Sequence, residues 1–404
     1  MTTSSPVPAG RRAVAVACGL AGGALAGSAT SLALASYVLR RLVTPERDRT
    51  DNVQILAVHL GDGGADGDDG DAITLARTEE TVAPGRYGLW LHGGRGHARL
   101  GDVLADDPRA GTVTRRVERV DAGSLRPGPA RWNGYYYGGD PRQSLGLDFV
   151  DVAIPGPLGP MPAWLIPAAE TAVPENRWAV LVHGRGALRG ECLRAVPVLH
   201  RLGYTCLIVG YRNDEDAPSS GDRRYALGLS EWADIEAALG WARDAGATCA
   251  VLVGWSMGGA IVLQTLSRSP LAAELVTKVV LDAPVVDWGD VIRHHVRLGR
   301  IPAGIADVAT RVLRWTGARQ LVGIDSPLDV AETDWIARAR ELAHPTLLIH
   351  SVDDEFVPVG PSVALARARA GLVRYVRWTE ARHTKEWNTD PDRWDRVVAE
   401  FLTS

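Results

Sequence analysis

The chain is poor in the residues that signal cross-links or bound metal. It has four cysteines, Cys18, Cys192, Cys206 and Cys249, and none belongs to a C-x-x-C pair. That argues against a disulfide framework and against a thiolate metal site. Cys192, Cys206 and Cys249 read as small core residues. Lysine occurs only at Lys278 and Lys385, and a net charge of −4 gives no electrostatic case for a nucleic-acid partner. The acidic Gly/Asp run over 61–71 lacks the ligand order and the twelfth-position Glu of a calcium loop, so it reads as a solvated hairpin loop. His294 and His295 lack the carboxylate–His spacing of a zinc site. The expectation is no metal and no cofactor.

What the sequence does have is 404 residues with 46% hydrophobic content, enough for a sizeable core and two or three domains. One long uncharged run stands out. Ala13–Leu39 is flanked by Arg11 and Arg12 on one side and Arg40 and Arg41 on the other. About 20 apolar residues cross a bilayer, so residues 1–42 are expected to be a single-pass N-terminal membrane anchor. The competing reading is a cleaved signal segment, with Ala33-Leu34-Ala35 as the cleavage site and a secreted product. Arg40, Arg41, Arg47 and Arg49 outnumber the two arginines upstream, which leans toward a cytoplasmic-facing body.

Residues 43–142 read as a small β-rich domain. Strands are expected at Val53–Leu60, Ala72–Thr78, Tyr87–His92 and Val113–Val120. His92-Gly93-Gly94-Arg95-Gly96 mimics an oxyanion-hole motif, but no amphipathic helix follows it, so it reads as a Gly-rich turn. Arg131–Gly139 is an aromatic-rich connector.

From 143 to 404 the pattern is an antiparallel hairpin (Leu147–Ile154, Met161–Ile166) and then alternating strands and helices. Strands are expected at Trp178–Val182, Cys206–Tyr211, Cys249–Val253, Lys278–Leu281, Thr346–Ile349 and Val373–Trp378. Helices are expected at Glu191–Arg201, Ser230–Ala245, Met257–Leu266, Ser362–Ala370 and Asp392–Phe401. Continuous apolar strands between helices indicate a mostly parallel sheet covered on both faces, with its site at the carboxyl ends of the strands. A cap insertion is expected over about 287–342, with Trp288, Trp315 and Trp335 as candidates to line a pocket or pack the cap.

Every motif falls on that edge. Gly254-Trp255-Ser256-Met257-Gly258 stands between an apolar strand and a helix, the setting of a nucleophile elbow. Ser256 must stand clear of the sheet on a tight turn, and Gly254 and Gly258 keep bulk out where strand and helix approach each other. The Met257 amide then lies at a helix N-terminus, where it can donate to an oxyanion. The Arg185 amide, in His183-Gly184-Arg185-Gly186 after the first parallel strand, is the expected second donor. His383, in Ala381-Arg382-His383, is the candidate base. Asp354, in Asp354-Glu355-Phe356-Val357-Pro358, is the candidate acid, with Asp353 and Asp282 as alternatives. Arg212, after the second parallel strand, is either a structural partner of a carboxylate or an anchor for an anionic substrate group.

Taken together, these motifs over residues 145–404 resemble the α/β-hydrolase superfamily, nearest its prolyl-oligopeptidase and serine-aminopeptidase-like branch. The whole arrangement also looks like membrane-tethered actinobacterial members of unassigned substrate. The resemblance implies an α/β-hydrolase fold and a Ser256–His383–Asp354 triad. The leading expectation is a serine hydrolase of esters or other acyl groups, acting on a small acyl substrate, lipid-like if it works at a membrane. The alternatives are an aminopeptidase or amidase, an acyltransferase, and a non-catalytic membrane-tethered interaction protein. An aminopeptidase calls for a carboxylate pair, of which Glu191 is one candidate half.

Overall fold

A computed structural model describes residues 29–47, 49–61, 70–169 and 176–404. Six strands close into an antiparallel barrel: β1 (Val53–His59), β2 (Ala72–Ala76), β3 (Tyr87–Leu91), β4 (Gly96–Asp107), β5 (Thr112–Ala122) and β6 (Gly128–Asn133), in the order β1-β2-β5-β4-β3-β6. Its core is its own, built from residues such as Ile55, Leu75, Leu89, Leu100 and Trp132. Arg115 is fully buried in it and donates to the carbonyls of Thr81, Ala83, Gly85 and Gly101. Two strands differ from the sequence expectation. β4 is crossed by four register shifts against β5, which scramble the inside–outside alternation that marks a strand. β6 begins Gly128-Pro129, the composition of a turn, and its Arg131–Asn133 were read as connector.

The second sheet has eight strands: β7 (Val150–Gly156), β8 (Gly159–Ile166), β9 (Arg177–Val182), β10 (Thr205–Val209), β11 (Cys249–Trp255), β12 (Val276–Asp282), β13 (Thr346–Ser351) and β14 (Val373–Trp378). The order is β14-β13-β12-β11-β9-β10-β8-β7, parallel except for the β7–β8 hairpin and its join to β10. Alternate residues feed opposite faces. Val180, Val182 and Leu252 belong to one core cluster, while Leu181, Val251 and Val253 belong to the other.

In chain order the helices are α1 (29–43), α2 (Pro141–Leu145), α3 (Val196–Arg201), α4 (Trp232–Asp244), α5 (Met257–Arg268), α6 (Pro270–Leu275), α7 (Trp288–Leu298), α8 (Gly304–Arg314), α9 (Ala318–Leu321), α10 (Gly360–Ala368), α11 (Glu386–Thr389) and α12 (Pro391–Thr403). Residues of α3, α11 and α12 join one cluster. Those of α4, α5, α6, α10 and the cap helices α7 and α8 join the other. The helix expected over Glu191–Arg201 is a 3₁₀ segment, Arg189–Ala195, running into α3. In the cap, Trp288 and Trp335 are buried, but Trp315 is 51% exposed and packs no cap core.

The expected membrane anchor is overturned. Among the described residues no helix is long and apolar enough to cross a membrane. Residues 13–28 of the apolar run lie outside the described residues. The remainder forms α1, whose Ala35, Leu39, Leu42 and Val43 join the core under the eight-stranded sheet. Burying Leu39 and Val43 is worth roughly 1.5–3 kcal/mol each, so this stretch is apolar because it packs on protein. Its C-terminal end is pinned as well. The Arg185 guanidinium donates to the carbonyls of Arg41, Leu42 and Thr44, and Tyr225 N donates to Val43 O.

Candidate active site

β9 and β11 are neighbours, although β10 lies between them in the chain. Strand order therefore reverses there, and a crevice opens beyond their carboxyl ends. The elbow fills it. Ser256 adopts φ 50°, ψ −117°, a backbone strain of about 1–3 kcal/mol held by the strand before it and the helix after it. The glycines are dictated by contact. A Cβ on Gly258 would lie 2.2 Å from Val182 O and 2.5 Å from His183 O, and one on Gly254 would lie 2.8 Å from Gly258 O.

The side chains expected to act together form one hydrogen-bonded line. His383 Nε2 is 2.8 Å from Ser256 Oγ, and His383 Nδ1 is 2.7 Å from Asp354 Oδ2. With Nδ1–H donating to the carboxylate, Nε2 is left to accept the serine proton. Asp354 Oδ1 accepts from the amides of Phe356 and Val357, each at 2.8 Å, which is why the acid begins this turn. Burial works against its charge, but His383 and His350 outweigh burial and hold the carboxyl well below the usual range. The alternatives sit elsewhere. Asp353 Oδ2 accepts from Glu380 N, and Asp282 Oδ2 accepts from Trp394 Nε1.

Gly184 lies against the elbow: a Cβ there would be 3.2 Å from Ser256 Cβ. Arg185 follows it, and Met257 begins α5, so both candidate oxyanion amides flank Ser256. His183 Nδ1 donates to Gly184 O at 2.9 Å and Nε2 to Asp214 Oδ2 at 2.9 Å, with the ring stacked on Tyr211. Burial opposes charge on His183, but Asp214 prevails and raises its pKa.

Three contributors were not assigned their part from sequence. His350 is fully buried and donates from Nε2 to Asp354 Oδ2 at 3.1 Å while Ser362 Oγ meets its Nδ1. Glu191 Oε2 accepts from Gly184 N at 2.7 Å and faces Arg194 rather than forming half of a substrate-holding pair. Arg194 donates to Thr384 O at 2.7 Å, next to His383. All three lie on the active edge, but nothing in their local sequence reports the partners.

Other candidates resolve plainly. Arg212 grips Asp234 with two bonds of 2.8 Å, the structural alternative. His294 and His295 lie on α7 and meet the carbonyls of Glu355 and Phe356. Phe356 packs between the rings, edge-on to His295 and tilted against His383. The connector after β6 packs on the edge. Tyr135 OH accepts from Leu188 N at 2.9 Å, and Tyr136 and Tyr137 pack on Trp387. Asn388 Nδ2 reaches Arg86 O and Gly134 O of the barrel side. Ser256 itself is 5% exposed. A cavity of about 270 Å³ adjoins the turn at Gly186, walled by Glu46, Arg49, Trp90, Arg131 and Tyr135. Among the described residues no His/Cys/Asp/Glu cluster is arranged to hold a metal.

Fold and site define an α/β-hydrolase. Residues 179–402 match the alpha/beta hydrolase family, over half of the chain, and the chain belongs to that family and is a hydrolase. Residues 62–133 match a domain of unknown function, DUF8805. An esterase of Pyrococcus furiosus superposes with a TM-score of 0.51 at 19% identity, covering 66% of this chain and 94% of that one. A member of the α/β serine hydrolases without a lid, from Xanthomonas campestris, gives 0.43 at 16%, covering 63% and 94%. At 19% identity the likeness to the esterase is one of fold. Comparison with functionally curated proteins finds no match.

Proposed function

We propose that the protein is a serine hydrolase that cleaves a carboxylic ester or other acyl bond of a small molecule through an acyl-enzyme. The observation that carries this reading is the unbroken line Asp354–His383–Ser256, with bonds of 2.7 and 2.8 Å. Ser256 Oγ attacks the acyl carbonyl while His383 takes its proton. The Arg185 and Met257 amides receive the oxyanion. His383 returns the proton to the leaving group and then activates the water that releases the acid. Asp354 fixes the imidazole tautomer and stabilises its charged form.

No observation favours an aminopeptidase, because Glu191 is already engaged by Gly184 N and Arg194. The test is a matched panel of p-nitrophenyl esters of rising chain length and aminoacyl p-nitroanilides, with Ser256→Ala as control. Ester turnover lost by at least about 10⁴-fold in the control is expected. Faster anilide turnover overturns the ester reading in favour of a peptidase, and turnover that survives Ser256→Ala overturns the triad.

A further inference from the structure

Behind the triad lie two carboxyl groups that the reaction does not use. Asp282 ends β12 and Glu386 opens α11, and both are completely buried. Each spends one oxygen on a protein donor. Trp394 Nε1 donates to Asp282 Oδ2 at 2.7 Å, and Ser351 N donates to Glu386 Oε1 at 3.0 Å. The second oxygens, Asp282 Oδ1 and Glu386 Oε2, are buried without any protein donor. Asp282 pairs with Ile349 across β12 and β13, two residues before the Ser351 whose amide Glu386 holds, so the two carboxyls converge from neighbouring segments. Two carboxylates cannot bond, since neither carries a proton. One proton held between them supplies a hydrogen bond that two carboxylates cannot make and leaves a single buried charge.

The pair sits where the three active segments meet. The Asp282 carbonyl accepts from Ser256 N at 3.1 Å, on the nucleophile elbow. Ser351, which Glu386 holds, ends the strand that leads to Asp354. Glu386 follows His383 on the same short loop. We propose that Asp282 and Glu386 share one proton and act as positioning residues, tying elbow, acid loop and histidine loop into one rigid frame. The proposal rests on the triad reading for what the frame serves.

Charged neighbours face the pair from several sides. Arg194 and Glu191 come from the 3₁₀ segment, Lys385 adjoins Glu386, and Asp354 lies with its two histidines on the far side. Burial, then the Asp282 carboxyl, pushes Glu386 well above the ordinary carboxylic range. Burial raises Asp282 too, against the pull of Arg194. A carboxyl whose folded-state pKa is raised stabilises the fold at low pH. That stability is lost as pH climbs from the ordinary carboxyl value through the raised one.

The test compares the melting temperature of the full chain with that of Glu386→Gln from about pH 6 to about pH 9. Glutamine keeps an acceptor for Ser351 N and presents a permanent donor to Asp282. The variant should gain on the parent as pH rises, by about 3 °C or more across the range. Asp282→Asn should repeat the trend, with Arg194, Glu191, Lys385 and Asp354 untouched in both. On ester substrates Glu386→Gln should keep kcat within about threefold at neutral pH, and Glu386→Ala should lower kcat by about tenfold or more at nearly constant KM. Melting profiles that run parallel to the parent overturn the shared proton. A Gln variant as damaged as the Ala variant overturns the positioning role. The melting result does not depend on the triad reading; the kcat comparison does, and failure of that reading shows separately as turnover that survives Ser256→Ala.

Discussion

The barrel and the open sheet each bury an arginine, and the two arginines are used differently. Arg115, inside the barrel, serves only backbone carbonyls of its own domain. Burial pulls its guanidinium down to about 10, against the field of Tyr87 and nearby carboxylates. Arg194, under the open sheet's edge, spans from the oxyanion side through Glu191 to the histidine loop through Thr384. A closed barrel pairs all its strands, and the donors of Arg115 are used up inside it. An open parallel sheet ends in an edge where loops from distant strands must be tied together, and there buried charge joins segments far apart in the chain. The comparison teaches that chemistry gathers where backbone pairing runs out.

Three changes break or sharpen that contrast. The largest effect is expected at the open edge. Asp354→Asn keeps the shape but spoils the imidazole tautomer, and kcat for the best ester should fall about 10³–10⁴-fold; the melting temperature should fall too, because the buried carboxylate that His383 and His350 favour is lost. Next is Arg115→Met, which strips donors from the carbonyls of Thr81, Ala83, Gly85 and Gly101, the two buried ones (Thr81 and Gly101) at about 1–3 kcal/mol each. The barrel should melt at markedly lower temperature in calorimetry, while kcat below that transition stays within about threefold. A large loss of kcat there would erase the division between the two regions. Smallest is Tyr135→Phe, which removes the acceptor of Leu188 N, one of the joints between them. It should cost about 1–2 kcal/mol of stability and lower kcat by only a few fold.

The elbow, the Gly184 turn, Asp354 and His383 were legible because each is a local pattern at a strand end. Apolar strand, forced glycine and helix start all sit within a few residues of the group they serve. The α/β-hydrolase sheet was legible for the same reason, since its buried strands are continuous apolar runs. What escaped was non-local. His350 and Glu386 owe their partners to packing between separate strands and loops. β4 was hidden by bulges, and β6 by Gly128 and Pro129. The described end of the apolar run, residues 29–39, misled most, because a helix that buries one face on protein and a helix bound for lipid share a composition. Only the contacts of Ala35 and Leu39 tell them apart.

The grip of Arg185 on the end of α1 bears on where the chain can be cut. A fragment that begins at residue 43 discards the carbonyls of Arg41 and Leu42 and uncovers the apolar groove under Leu39. The freed guanidinium belongs to the residue whose amide is the proposed second oxyanion donor. Weak turnover by such a fragment would report a slackened hinge beside the nucleophile rather than a poor choice of substrate. A boundary ahead of residue 29 keeps the hinge under load.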